Sequence, residues 1–321
     1  MVAAPEHRPE ADFDPLPFDA DAARSFGQVA ASLRRSGREH QAFFVPNGWE
    51  HDLGVVRSRR GPPDDSATDG RRVQRRRART FELERADQTV PGVVWTPIGA
   101  DTARPEVLFG HGGTQDRFAP NIVALAWSLV VEHGYACVSI DAPGHGERVT
   151  PEQREAFRRR AMQTDMSKPR YRGEPGDPYS SIFVRGVEDW RAVLDAVEQL
   201  PEVGAGPTGW WGVSMGTSIG LPFVATEPRI TCAVLGLAST VPRPGHDEYL
   251  GWARQLTVPL LFLCQRDDGG HPIDKALELF DLFGSEHRTM HLNPGSHVGI
   301  PGFERHESSR FFAHHLGALA S

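Results

Sequence analysis

From about residue 80 to the end of the chain, short continuous apolar runs alternate with longer stretches in which apolar residues recur every three or four positions. The first pattern suits strands buried on both faces, and the second suits helices with one apolar stripe. Two β-type runs, Thr80 to Arg85 and Thr89 to Trp95, predict an antiparallel hairpin, with Asp87 suited to the turn between them. Val107 to Gly110 is the next buried run. A helix is predicted over Asn121 to Glu132, where Ile122, Leu125, Ala126, Leu129 and Val130 share a face and Gly134 supplies the stop. Ala136 to Ile140 is again a buried strand, and strand, helix, strand in this order implies a parallel pair with a right-handed crossover.

The alternation resumes with a helix over Val184 to Leu200, a strand over Pro207 to Trp211, and a helix over Met215 to Thr226 that Pro222 should interrupt or bend. Strands follow at Ile230 to Leu237 and Pro259 to Cys264, then a helix at Ile273 to Phe283, a strand at Arg288 to Leu292 and a closing helix at Phe303 to Leu319. The predicted fold class is α/β, a mostly parallel twisted sheet with helices on both faces.

Some segments depart from the pattern. Residues 1 to 20 are acidic and proline-rich and are not expected to pack alone, while Asp21 to Ser36 has helical spacing at Phe26, Val29, Ala30 and Leu33. Arg57 to Arg79 is crowded with arginine but lacks interleaved aromatics, which favours a solvated linker or exposed edge strand over a nucleic-acid arm. Residues 1 to 79 are therefore assigned as an N-terminal extension, partly disordered or helical, and 80 to 321 as the α/β domain. Within that domain residues 147 to 183 form a charged, then Gly/Pro-rich excursion, too long for an ordinary connection. The sharper reading is a lid over a pocket, with Phe157, Met162, Met166, Tyr171 and Tyr179 as its apolar contacts, and the plainer one is a surface loop stapled by the same residues. Ala238 to Val258 is a second excursion.

Composition narrows the picture. The 321 residues suffice for one sizeable α/β core, and a net charge of −7 makes no global case for a nucleic-acid partner. Cys137, Cys232 and Cys264 each fall inside an apolar run, which suggests buried thiols in a reducing compartment and neither a disulfide framework nor a metal site. The acidic, proline-bearing start does not read as a signal peptide, and no window approaches the roughly eighteen apolar residues of a membrane helix. The expectation is a soluble, cytoplasmic protein with no membrane association.

In an open parallel sheet, functional side chains gather beyond the carboxyl ends of the strands. Five strands here end in chemistry-bearing residues: His111-Gly112-Gly113, Asp141-Ala142-Pro143-Gly144-His145-Gly146, Gly212-Val213-Ser214-Met215-Gly216, Gln265-Arg266-Asp267-Asp268, and Asn293-Pro294-Gly295-Ser296-His297. Gly-x-Ser-x-Gly between a strand and a helix is the outline of a strained elbow that exposes a serine. A serine hydroxyl needs a neighbouring base, and imidazole suits the task because it titrates near neutrality. His297 lies on a loop, whereas His291 would lie within the last strand as a partly buried residue. A carboxylate to orient the imidazole would be Asp267 or Asp268, with Asp247 and Glu248 as outside candidates. His111 and His145 lack a third ligand at metal spacing and read as loop-organising hydrogen-bonders.

These five motifs, in this order, resemble those of the α/β-hydrolase superfamily, closest to its dienelactone-hydrolase-like and acyl-esterase branches, over residues 80 to 321. The resemblance implies a catalytic domain in which Ser214 is the nucleophile and His297 the base. It favours Asp268 as the acid, because its spacing to Pro272 matches the family turn, and leaves Asp267 to shape the loop. Backbone N–H groups of Gly113 and Met215 would form the oxyanion hole. No cofactor and no metal are implied, and the partner is a small-molecule ester or related acyl substrate. Nucleic acid is not expected, and a homo-oligomer is left open. Dienelactone hydrolases carry cysteine at the elbow, so Ser214 argues for ester chemistry through an acyl-enzyme. Thioesterase, lactonase and acyltransferase activities are alternatives on the same scaffold, and a non-catalytic binding protein is disfavoured because no triad residue is lost.

Overall fold

The apolar runs become eight strands of one sheet in the computed structural model, which describes residues 76–85, 88–162, 178–242 and 245–317. The expected helix at 21–36, most of the arginine-rich arm and the middle of the 147–183 excursion, with Met166 and Tyr171, lie outside the described residues.

The strands are β1 (Arg76–Arg85), β2 (Gln88–Pro97), β3 (Glu106–Gly110), β4 (Ala136–Ile140), β5 (Thr208–Val213), β6 (Ile230–Gly236), β7 (Leu260–Gln265) and β8 (Arg288–Asn293). Their order is β1-β2-β4-β3-β5-β6-β7-β8. β1 pairs with β2, and β2 with β4, in antiparallel fashion, and all other pairings are parallel. From β3 the chain steps outward to β4 and then returns past β3 to lay down β5 on the other side. The crevice beyond the carboxyl ends of β3 and β5 is therefore the topological switch point, where such sheets bind ligands.

Seven α-helices are described: α1 (Pro120–His133), α2 (Pro151–Met162), α3 (Pro178–Val197), α4 (Met215–Thr226), α5 (His246–Gln255), α6 (Ile273–Leu282) and α7 (Glu304–Leu316). α1 packs on α7, while α4 packs between α3 and α5, so helices cover the sheet on both faces. Alternation along β5 sends its two tryptophans to opposite sides. Trp210 is fully buried in a cluster with Trp190 of α3 and Phe223 of α4, at ring distances of 5.0 and 5.3 Å. Trp211 meets Phe109, at 6.0 Å, and donates its indole N–H to Ser308 of α7, at 3.3 Å.

Several boundaries differ from the sequence expectation for identifiable reasons. β1 starts at Arg76, four residues before the β-type run, because an edge strand tolerates charged side chains. α3 begins at Pro178, where proline suits the first turn of a helix, and ends at Val197. The second excursion is not irregular, since α5 occupies half of it with Tyr249 and Ala253 on its buried side. Pro222 does not end α4, which runs on to Thr226, whose Oγ1 donates to the Pro222 carbonyl at 2.6 Å. No helix among the described residues is long and apolar enough to cross a membrane.

At the foot of β3, Glu106 is fully buried and its Oε1 accepts from Thr208 Oγ1 of β5 at 3.0 Å. Burial pushes this carboxyl up to about 8, more than the Thr208 bond and the Arg229 charge offset. A carboxyl that holds its proton more tightly when folded contributes stability below its unfolded value, and that contribution is lost as pH rises through 8. Denaturant titrations of wild type and Glu106→Gln from about pH 5 to pH 9 should therefore show the wild type losing stability relative to the variant as pH rises. A difference that stays constant across this range would contradict the assignment.

Candidate active site

β5 ends at Val213 and α4 begins at Met215, which leaves Ser214 alone to turn the chain. It does so at φ 59° and ψ −116°, a conformation that L-residues with side chains rarely adopt and that costs about 1–3 kcal/mol. The flanking glycines make the turn sterically feasible. A Cβ on Gly216 would stand 2.2 Å from the Gly110 carbonyl oxygen of β3, and one on Gly212 would stand 2.7 Å from the Gly216 oxygen. Thr217, fully buried, braces the turn from below. Its Oγ1 lies 2.9 Å from the Gly212 oxygen and 2.6 Å from the Gly236 oxygen, and it accepts from the Gly236 N–H at 2.9 Å. The Ser214 N–H donates to the same Gly236 carbonyl at 2.9 Å, so the elbow is fastened to β6.

His297 reaches this serine from the loop between β8 and α7. Its Nε2 lies 2.9 Å from Ser214 Oγ, and its Nδ1 lies 2.6 Å from Asp268 Oδ2. Donation from Nδ1 to the carboxylate leaves Nε2 free to accept the serine proton. The loop is tied at its base by Glu304, the buried first residue of α7, which accepts from Asn293 Nδ2 at 2.7 Å and pairs with His291 Nδ1 at 2.9 Å. Asp267 holds the other side, accepting from the Gly295 N–H at 3.0 Å while its own N–H donates to the Gly295 carbonyl at 3.0 Å. Thus His291 sits in a strand and Asp267 shapes a loop, and Asp268 is the carboxylate on His297. Asp247 and Glu248 head α5.

Asp268 is buried, and its Oδ1 accepts from the N–H groups of Gly270, at 3.0 Å, and His271, at 3.2 Å. Burial by itself raises this carboxyl. The hydrogen bond and charge of His297, the charge of His271 and the Gly270 N–H outweigh burial and hold it below the ordinary aspartate range.

Across the crevice, Gly113 follows β3 with open space where a Cβ would stand. The preceding histidine organises its loop: His111 Nδ1 donates to the Gly112 carbonyl at 2.8 Å and Nε2 accepts from the Ala142 N–H at 3.0 Å. Both nitrogens are thereby occupied by backbone, which leaves no lone pair for a metal. Burial and the neighbouring His145 push His111 down to about 3, so the ring stays neutral. Met215 is the first residue of α4, so its N–H has no acceptor within the helix and stands at the positive end of the helix dipole.

Sequence reasoning missed the group that shapes the β4 loop. Asp141 is fully buried, with Oδ1 accepting from the Arg117 N–H at 2.9 Å and Oδ2 from the Glu147 N–H at 2.8 Å and Arg117 Nη1 at 2.5 Å. Gly146 is required here, because a Cβ on it would stand 2.0 Å from Asp141 Cγ. Arg148 then pairs with Asp189 of α3 at 2.7 Å and with Gln88 of β2. Only the Asp-x-Pro-Gly-His-Gly spacing hinted at this arrangement.

No family model and no curated protein matches the chain. Solved structures do. A cold-adapted esterase from an Arctic intertidal metagenomic library, in complex with polyethylene glycol, is 34% identical, with 78% of this chain and 98% of that one covered and a TM-score of 0.60. Dienelactone hydrolase from Anabaena variabilis shares the fold at 19% identity, with 75% and 99% of the two chains covered and a TM-score of 0.53. Acetyl xylan esterase from Paenibacillus sp. R4 shares it at 16% identity, over 95% and 98%, with a TM-score of 0.54.

The elbow geometry makes a contrast between two glycines testable. Gly216→Ala drives a methyl group into the β3 backbone and should cost about 1–3 kcal/mol in denaturant unfolding. Gly251→Ala, on α5 with nothing within 4 Å of its Cβ position, should instead stabilise by about 0.5–1 kcal/mol through helix propensity. An unchanged midpoint for Gly216→Ala would show that the contact is not tight.

Proposed function

The chain belongs to the α/β-hydrolase superfamily, in its dienelactone-hydrolase-like esterase branch, and on that premise we propose that it hydrolyses carboxylic esters through an acyl-enzyme formed on Ser214. The observation that carries the reading is the unbroken hydrogen-bonded line from Ser214 Oγ through His297 to Asp268, mounted on a strained elbow.

In this mechanism Ser214 Oγ attacks the ester carbonyl carbon while its proton passes to His297 Nε2. Negative charge then develops on the former carbonyl oxygen, and the N–H groups of Met215 and Gly113 are the donors assigned to it. Asp268 stabilises the imidazolium, and its carboxyl, held low as described, remains ionised at neutral pH. The bond to the alkoxide breaks as His297 gives it the proton, so the alcohol departs and the acyl group stays on Ser214. Water repeats the sequence, giving up its proton to His297 as it attacks the acyl carbon. The carboxylic acid leaves, and Ser214 recovers its proton. The substrate is a small-molecule ester, in keeping with the esterases that the chain is similar to.

Hydrolysis of p-nitrophenyl acetate should fall by about 10⁴-fold or more in Ser214→Ala, and by about 10⁴-fold in Asp268→Asn, which offers His297 the wrong partner for its tautomer. Turnover by Ser214→Ala equal to that of the wild type would sink the proposal.

A further inference from the structure

Beside the Ser214, His297 and Asp268 line stands a second serine–histidine pair for which the mechanism above has no use. Ser239 is fully buried just beyond β6, and its Oγ lies 2.8 Å from Nδ1 of His271. His271 occupies the turn between Asp268 and α6, and its N–H donates to Asp268 Oδ1 at 3.2 Å. Its ring lies over that of His297, with centroids 5.4 Å apart and planes within 26°, in the range of offset stacking. The segment carrying Ser239 is itself anchored, because the Thr240 N–H donates to the Lys275 carbonyl of α6 at 3.0 Å and Thr240 Oγ1 reaches Glu278 at 2.6 Å.

The bond to Asp268 fixes one nitrogen of His297, but the bond between Nε2 and Ser214 Oγ is given up as the serine attacks, and the ring can then tilt on its side-chain torsions. Tilting moves Nε2 off the line to Ser214 Oγ. A flat surface against one face of the imidazole limits that tilt, and the His271 ring, held at Nδ1 by Ser239, supplies one. We propose that Ser239 and His271 form a positioning pair for the general base: Ser239 orients the His271 ring, and that ring holds His297 aligned with the nucleophile. The proposal rests on the acyl-enzyme reading of Ser214.

Four proteins test it, wild type, His271→Ala, His271→Phe and Ser239→Ala, each read by the rate at which a fluorophosphonate labels Ser214 and by kcat and KM on p-nitrophenyl acetate. His271→Ala should lower both the labelling rate and kcat by about 10- to 100-fold with KM near the wild-type value, as expected for a small misplacement of a reacting group. His271→Phe restores a flat ring and should recover most of that loss. Ser239→Ala should lose several-fold. A wild-type labelling rate in His271→Ala overturns the proposal, as does a His271→Phe variant that unfolds like wild type and is no faster than His271→Ala. Should His271→Ala fail to fold, Ser239→Ala decides, with slower labelling at unchanged KM supporting the pair and wild-type labelling overturning it. A wild type that hydrolyses the ester while Ser214 takes no label overturns the acyl-enzyme reading itself, a result distinct from equal labelling in all four proteins.

Discussion

A serine backbone held at φ 59° is the constraint to which the rest of the structure conforms. The turn is unfavourable on its own, so its surroundings must over-determine it. Gly212 and Gly216 clear space for it, Gly110 lets β3 pass close beneath α4, and Thr217 binds its underside to β6. Trp210 fills the volume these small residues leave, lying against Gly110, Gly212 and Gly220 while its other side joins the buried cluster with Trp190 and Phe223. The core and the elbow are thus one packing arrangement. Because β3 and β5 flank the switch point, the same topology that builds the core also opens the crevice in front of Ser214.

Buried carboxyl groups show how differently the fold treats acids that shape loops and the acid on His297. Burial raises Asp141 and Glu106, and the partners of each offset it only in part. Asp268 also feels burial as its largest influence, yet His297, His271 and the Gly270 N–H together bring it below the ordinary range. Those donors come from two loops, after β7 and after β8, so the ionised state of Asp268 depends on both loops keeping their shape. Glu304 and Asp267 provide that, tying the His297 loop to α7 and to the β7 turn.

Much of the fold was legible because parallel strands are covered on both faces and read as unbroken apolar runs. Ala136–Ile140 was found with its bounds intact, and β7 within a residue. Legibility failed where burial is one-sided or where a breaker-rich stretch precedes an element. α5 buries only Tyr249 and Ala253, and the start of α3 follows a Gly/Pro-rich run that hides it. At the site, Ser214, Asp268 and His297 were legible since each lies in a short motif at a strand end. What the motifs could not reveal were partners brought together only by folding. Glu304 meets Asn293 and His291 once α7 lies beside β8, Asp141 meets Arg117 across the β3 and β4 loops, and Ser239 meets His271 from separate strand ends. Each of these contacts joins residues with no periodic relation in the chain.

Everything proposed for the site depends on Ser214 acting as the nucleophile that carries the acyl group. Titration with an irreversible phosphonate ester, with the modified peptide located by mass spectrometry and the remaining ester hydrolysis measured at each addition, tests this most directly. Hydrolysis should fall in proportion to phosphonylation of Ser214 and be abolished at about one group per chain. Ester hydrolysis that persists when Ser214 is fully phosphonylated would contradict it.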